Sequence, residues 1–174
     1  MRNEPGTIYN HAALSRNWHN PSILPDDLVL FRQEVYGQIP CHNHPAVELL
    51  HVERGRGVLT VNGREYQLVE GCGAFMFTHH FHEITAVPEE TLHIISCQFS
   101  YRTYVYLTAI LPSSALLPHN HSFCAFAHFP PSEQAHFSRI IDSLFSGNTL
   151  KKSQQYVPLL LEWIARFYSG LNSA

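Results

Sequence analysis

The chain has 174 residues, of which 45% are hydrophobic and 12% aromatic, enough to bury one core and to indicate a single globular domain. Its formal net charge of −3 lacks the basic excess that binding to a phosphate backbone requires, so these residues should not themselves bind nucleic acid. The sequence has no apolar signal segment, and none of its apolar runs approaches the roughly 18 residues of a transmembrane helix. We therefore expect a soluble, cytoplasmic protein without membrane contact.

The first part of the chain divides into an arm and a series of strands. Residues 1–25 show neither a helical nor a strand period, and we interpret them as an N-terminal arm. Short β-like runs then alternate with turn residues over residues 26–130. The sharpest hairpin signal is Asn62-Gly63, because this pair accepts the positive φ angles of a type I′ turn. Repeated hairpins at this spacing predict a closed or nearly closed β-barrel.

The later part of the chain changes period. Residues 100–122 fit neither a strand nor a helix clearly and are interrupted by Pro112 and Pro118, so we interpret them as a loop. Beyond Pro130 the apolar period changes from two to 3.6, and residues 131–174 are predicted to form two amphipathic helices. The stripes consist of Phe137, Ile140, Ile141, Leu144 and Phe145 in the first helix, and Leu160, Leu161, Ile164, Phe167, Tyr168 and Leu171 in the second.

The two helical stripes are expected mainly to pack on the barrel or on each other. Trp163 lies away from the main stripe of the second helix, so the sequence predicts an apolar side chain in need of a partner. A homodimer would supply that partner. The residues expected in this dimer contact are Leu160, Trp163, Ile164 and Phe167.

A group of histidines carries the strongest chemical signal. His42 and His44 are two residues apart, and Glu48 follows four residues later. On an extended strand this even spacing places all three side chains on one face, and His82 from a neighbouring strand is the expected fourth ligand. Imidazole and carboxylate together suit a divalent transition metal such as zinc, iron, manganese or nickel. Alternatively, the same four side chains form hydrogen bonds to an organic ligand in a pocket at this position.

Two further residues are candidates for this pocket. His80 shares a strand face with His82 if the segment is extended, and we expect it to line the pocket. Trp18, in the arm, either closes over the barrel mouth and stacks on a ligand such as a sugar, or only anchors the arm. The pair His119 and His121 has no carboxylate nearby in the sequence and is interpreted as part of an exposed loop.

The histidine pattern resembles the two motifs of the cupin family. The first motif has a glycine, a His-x-His pair, a glutamate and a further glycine, matched here by Gly37, His42, His44, Glu48 and Gly55. The second motif runs from a glycine to a histidine eleven positions later, matched by Gly71 and His82. Its proline, second glycine and closing asparagine are replaced by Phe77, His79 and Ala86. The resemblance implies a cupin-type, jelly-roll-like β-barrel followed here by two α-helices.

Over residues 25–171 the chain also resembles the effector-binding and dimerisation half of AraC-type transcription regulators. That resemblance implies a barrel that binds a small effector, a flexible arm before it, and two helices that pair two subunits. It further implies a separate C-terminal helix-turn-helix domain that binds DNA. This domain is absent from the sequence, and we expect it to follow in a longer protein. Effector binding would then bias a two-state arrangement of arm, barrel and helices.

A stand-alone metal-dependent cupin enzyme, either a dioxygenase or a sugar isomerase, is the alternative. It would use His42, His44, Glu48 and His82 to hold iron or manganese with open coordination positions. The sequence offers no separate general base other than Glu83 or His80, and an enzyme of this kind has no need for the trailing helices. We therefore predict a sensor domain with no catalytic residues rather than an enzyme.

Overall fold

The computed structural model describes residues 29–110, 124–146, 158 and 160–167, and within these ranges the chain is mainly β. The described residues contain nine strands, which form two antiparallel sheets. The strands are β1 Val29–Val35, β2 Gln38–His42, β3 Ala46–Arg54, β4 Gly57–Val61, β5 Arg64–Leu68, β6 Cys72–Met76, β7 His82–Ala86, β8 Leu92–Ser100 and β9 Ala125–His128. The helices are α1 Tyr101–Ile110, α2 Pro131–Ser146 and α3, residues 160–167. The predicted arm, residues 1–25, lies outside the described residues, as does the His119–His121 pair.

The two sheets enclose a common interior. One has five strands in the order β1-β8-β3-β6-β9, and the other has four in the order β2-β7-β4-β5. Alternate side chains of both sheets meet in one apolar cluster between them, which includes Leu50 and Ile94 from the first sheet and Leu59 and Ile84 from the second. This architecture confirms the predicted cupin-type barrel.

The Asn62-Gly63 hairpin is confirmed in detail. Strands β4 and β5 pair from Gly57↔Leu68 to Val61↔Arg64, leaving the two turn residues between them. Asn62 has a φ of 48° and Gly63 a φ of 83°, as a type I′ turn requires. This turn fixes the register of β4, which in turn pairs with the strand that carries His82.

The interpretation of residues 100–122 as a loop is wrong for residues 101–110, which form α1. The helix begins after Ser100, whose hydroxyl oxygen accepts a hydrogen bond from the Thr103 backbone N–H at 3.0 Å. Tyr104 and Leu107, three residues apart, are buried against the five-stranded sheet. The N-cap serine and this spacing were present in the sequence, but the surrounding tyrosines fit a strand equally well.

The helices pack on the outer face of the five-stranded sheet, as expected for their apolar stripes. A second apolar cluster joins outward-facing residues of β3, β6 and β8 to α1, α2 and α3. At its centre the Phe129 and Phe137 rings lie 4.4 Å apart, and Phe129 also lies 5.7 Å from Phe167. The helices therefore complete the core of the same unit to which the sheet belongs.

The four residues predicted for a dimer contact do not face outward. Leu160, Trp163, Ile164 and Phe167 are each at most 1% exposed within a single chain. Trp163 already has its partner, since its ring lies 6.5 Å from that of Phe137 in α2. The prediction that Trp163 needs a second subunit is wrong because α3 is covered on two sides, by the sheet and by α2.

His51 lies on the same outer face and makes the packing of α2 sensitive to pH. It is buried and stacks on Phe137 at 5.8 Å, and burial lowers its pKa from 6.5 to about 4. Between these values the unfolded chain binds a proton that the native chain excludes, so stability falls as the pH falls. The expected loss from this group is at most about 3 kcal/mol between pH 6.5 and pH 4.

Urea unfolding across this pH range checks the prediction, with His51→Leu as the comparison. The variant should show a shallower pH dependence than the wild type, although His82, whose pKa is also lowered to about 4, still contributes. A pH dependence that is identical in the two proteins would contradict the assignment of this effect to His51.

Candidate functional site

Four predicted ligands converge inside the barrel from strand β2, the link after it, β3 and the distant strand β7. His42 is the last residue of β2 and is paired with His82, the first residue of β7, with ring centroids 4.3 Å apart. His44 lies in the link that follows β2, and Glu48 lies in β3. Leu49, the next residue of β3, faces outward, so the side chain of Glu48 points to the interior.

The predicted reason for this convergence is wrong, although the residues are the predicted ones. His42, His44 and Glu48 do not share one strand, because β2 belongs to the four-stranded sheet and β3 to the five-stranded sheet. Residues 43–45 carry the chain from one sheet to the other, and β2 contains an irregularity in register just before His42. The side chains meet because the two sheets face each other, and not because of an even spacing.

The three histidines are close enough to hold a metal ion. One ring nitrogen from each of His42, His44 and His82 lies within 4.8 Å of the others. Nitrogens bound to one zinc ion lie roughly 3–3.5 Å apart, since each bond is about 2.1 Å long, so only a small closure is needed. Glu48 is next to this group: its Oε2 lies 2.7 Å from His44 Nε2 and 3.6 Å from His82 Nε2.

Backbone carbonyls orient two of these rings. His42 Nδ1 lies 2.8 Å from Pro40 O, and His82 Nδ1 lies 3.1 Å from His80 O. A carbonyl oxygen only accepts, so each Nδ1 carries a hydrogen and each neutral ring has its lone pair on Nε2. Fixing the tautomer in this way is typical of histidines that bind a metal or a ligand through the other nitrogen.

The carboxylate of Glu48 sets the charge of the site. Burial alone would raise its pKa, but the hydrogen bond and charge of His44, the charge of His82 and the hydroxyl of Ser96 lower it to about 2. Burial would lower the pKa of His44, yet Glu48 outweighs this effect and raises it. Burial lowers the pKa of His82 to about 4, despite the opposing charge of Glu48. The site therefore combines an ionised carboxylate with a neutral His82.

Ser96 and Gln98 in β8 belong to the site and were missed by the sequence analysis. Ser96 Oγ donates a hydrogen bond of 2.6 Å to Glu48 Oε1. Gln98 is fully buried, is paired with Glu48 across the strands, and has its Nε2 3.4 Å from His44 Nε2. The available signal was a period of two: Ser96 and Gln98 flank apolar Cys97 within the otherwise apolar run of residues 94–99.

Two other candidates are placed differently from what the sequence suggested. His80 is buried in the turn after β6, where its Nδ1 accepts a hydrogen bond of 3.1 Å from the Phe77 backbone N–H. The segment is not extended there, so strand alternation does not apply, and His80 acts on His82 through its backbone carbonyl. Glu83 lies on the opposite face of β7 from His82, near Gln38 Nε2 at 3.3 Å. Trp18 lies outside the described residues.

Among the described residues, the rest of the barrel interior is mainly apolar. Its side chains include Leu50, Val52, Leu59, Val61, Ala74, Met76, Ile84 and Ile94, with Tyr66 and Phe126 partly buried against them. The polar group therefore lies in hydrocarbon surroundings, which strengthen every electrostatic interaction within it.

Residues 27–165 match the protein family described as the AraC-like ligand binding domain. The chain belongs to this family. No curated protein sequence matches it. Within the described residues, none of the helices is both long and apolar enough to cross a membrane.

Solved structures of ToxT from Vibrio cholerae share the fold of this AraC-like domain. Apo ToxT K231A from strain SCE256 has a TM-score of 0.61 at 7% identity, over 84% of this chain and 56% of that one. Wild-type ToxT of the same strain, bound to an unsaturated fatty acid, has a TM-score of 0.58 at 8% identity, over 84% and 55%. ToxT from strain O395 bound to (E)-4-(8-methylnaphthalen-1-yl)but-3-enoic acid has a TM-score of 0.57 at 11% identity, over 84% and 56%. The chain thus spans little more than half the length of these proteins.

Proposed function

We propose that this AraC-like domain is the effector-sensing part of a transcription regulator and binds a small molecule at the group formed by His42, His44, Glu48 and His82. The observation that carries the proposal is that His44, Glu48 and His82 are buried together in a barrel whose other described interior side chains are mainly apolar. Burying such polar groups costs free energy. A barrel of this size does not need them in its interior in order to fold, so a binding function accounts for their presence. Perturbed pKa values at Glu48 and His82 are typical of functional sites.

A divalent transition metal is part of this proposal. The donors suit zinc, iron, manganese or nickel, because the rings of His42 and His82, which carry their hydrogen on Nδ1, lie beside His44 and a carboxylate. His42, His44 and His82 would hold the ion, and Glu48 would either join them or remain bonded to His44. When bound, the metal would supply a Lewis-acidic position that takes a donor atom of the effector.

The proposed effector is an apolar molecule with one polar head group. The head would contact the histidines, and the hydrocarbon part would lie against residues such as Leu50, Met76 and Ile84. The fatty acid and the naphthalenyl butenoic acid bound to ToxT have this general form. A sugar fits less well, because its hydroxyl groups would lack partners along the apolar walls.

The expected experiment is a thermal-shift screen of the purified chain with unsaturated fatty acids, aromatic acids, sugars and zinc. At least one class should raise the Tm of the wild type and fail to raise that of His82→Ala. His128→Ala is the matched control, because His128 is exposed at the end of β9. If no ligand class stabilises the wild type, or if His82→Ala responds equally, the proposed site is wrong.

The remaining parts of the proposal concern the whole protein. We propose an arm over residues 1–25, a barrel over 26–130 and a helical dimerisation segment over 131–174, with DNA contacted only through a further helix-turn-helix domain. A homodimer would use outward surfaces of the helices, since the four α3 residues discussed above are buried. Sedimentation over a wide concentration range should show a monomer–dimer equilibrium, and a monomer at the highest soluble concentration would contradict it.

A further inference from the structure

Tyr66 lies at one side of the barrel, where the two sheets meet without hydrogen bonds between them. It belongs to β5, the edge strand of the four-stranded sheet, and lies next to β9, the edge strand of the five-stranded sheet. Its ring is 5.1 Å from that of Phe126 in β9, and the Arg64 guanidinium lies 5.4 Å from its centroid. Tyr66 and Phe126 both pack against the apolar interior, so the protein holds the Tyr66 ring in place.

The hydroxyl of Tyr66, unlike its ring, lacks a strong partner. Its oxygen is buried and has no hydrogen-bond partner among the residues that the structure describes. The Cys124 thiol lies beside it, but a thiol is only a weak donor and acceptor. Burial, together with Cys124, raises the pKa of Tyr66 to about 12, so the hydroxyl keeps its hydrogen at neutral pH. Such a group costs free energy unless something outside the protein completes it.

The strand register places this hydroxyl at the level of the histidine group. Glu48 in β3 is paired with Met76 in β6, and β9 is the next strand, with Ala125 paired to Phe75. Cys124, directly before Ala125, therefore comes next to Met76 and lies two strands from Glu48. Neighbouring strands are about 4.8 Å apart, so the backbones of Cys124 and Glu48 are separated by roughly 10 Å. Met76, which is buried in the same interior, lies between them.

We propose that the Tyr66 hydroxyl is a second polar contact for the effector, at the end opposite the histidine group. The inference rests on the proposed function and refines it, because the hydrocarbon part of the effector would end in an uncharged hydrogen-bonding group, either a hydroxyl or a carbonyl. The apolar middle would lie against Met76. A second carboxylate fits less well, since it would lose its hydration in return for a single O–H donor.

The first test uses the chain without ligand. Tyr66→Phe removes only the hydroxyl oxygen, and because this oxygen has no strong partner, the Tm should be equal to or above that of the wild type. A lower Tm in Tyr66→Phe would show that the protein itself completes the hydroxyl, and would overturn the inference. The double variant with Cys124→Ala would then show whether the thiol is the partner.

The second test compares a linear fatty acid with its ω-hydroxy derivative over a series of chain lengths, by isothermal titration calorimetry. At the length that reaches both contacts, the wild type should bind the ω-hydroxy acid about 3- to 10-fold more tightly, which is the effect of one neutral hydrogen bond. Tyr66→Phe should lose this preference but keep the zinc affinity of the wild type. Tyr36→Phe is the matched control and should keep both, because it makes the same chemical change at a tyrosine that is 57% exposed.

Three results of the binding test would overturn the inference while the proposed function stands. They are equal binding of the two acids to the wild type at every chain length, an unchanged preference in Tyr66→Phe, and a wild type that binds zinc but neither acid. Failure of the proposed function has another signature, since the wild type would then bind neither zinc nor any of the organic probes.

Discussion

Replacing Trp163 by alanine is expected to lower the free energy of unfolding by about 3–5 kcal/mol. Trp163 is only 1% exposed and is among the largest fully buried side chains described. Its removal would open a cavity between α3, α2 and the five-stranded sheet, where Phe137 and Phe167 cannot close the space without moving the helices. Urea unfolding followed by circular dichroism measures the loss.

The matched control for Trp163 is Tyr106→Ala in α1. Tyr106 is 42% exposed, so its truncation should change stability by less than about 1 kcal/mol. Sedimentation measures the oligomeric state of both variants and so distinguishes a loss of packing within the chain from a loss of contact between subunits. A Trp163→Ala chain with wild-type stability but without a dimer would show that the sequence interpretation of Trp163 was correct after all.

Replacing Glu48 by alanine is expected to lower the free energy of unfolding by about 3–5 kcal/mol, because it leaves the buried partners of an ion pair without their carboxylate. His44 and Ser96 both donate to Glu48, at 2.7 Å and 2.6 Å. The double variant His44→Ala/Glu48→Ala should lose less than the sum of the two single variants, by about 1–3 kcal/mol, since both members of the pair are removed. A four-protein urea unfolding cycle measures this coupling.

The same proteins test the site. We expect the double variant to remain folded but to lose binding of zinc and of any effector found in the thermal-shift screen. The conservative variant Glu48→Gln keeps the volume of the side chain and should lose less stability than Glu48→Ala. Retained binding in the double variant would mean that the ligand site lies elsewhere, whatever the unfolding cycle shows.

Local signals predicted much of this fold from the sequence. The Asn62-Gly63 turn depends only on the φ angles that two adjacent residues accept, so the hairpin could be located without knowing the rest of the chain. The same holds for the change of period after Pro130, which marked α2. The site residues were identified by matching histidines and a glutamate to the positions of the cupin motifs. In the structure these residues lie close together: His42, His44, Glu48 and His82.

The features that were missed depend on distant parts of the chain. Whether Trp163 faces solvent or core depends on α2, which covers a second side of α3. Gln98 becomes a site residue only because β8 pairs with β3 and places it opposite Glu48. The predicted strand from His42 to Glu48 failed because spacing along a sequence cannot reveal that the chain crosses between two sheets.

The most direct test of the central claim is a crystal structure of the chain soaked with zinc, with anomalous scattering recorded at the zinc absorption edge. The proposed site predicts one strong interior peak bonded to His42, His44 and His82, at distances of about 2.0–2.1 Å. A zinc ion bound only by surface histidines such as His128, with the three interior rings unchanged, would contradict the claim.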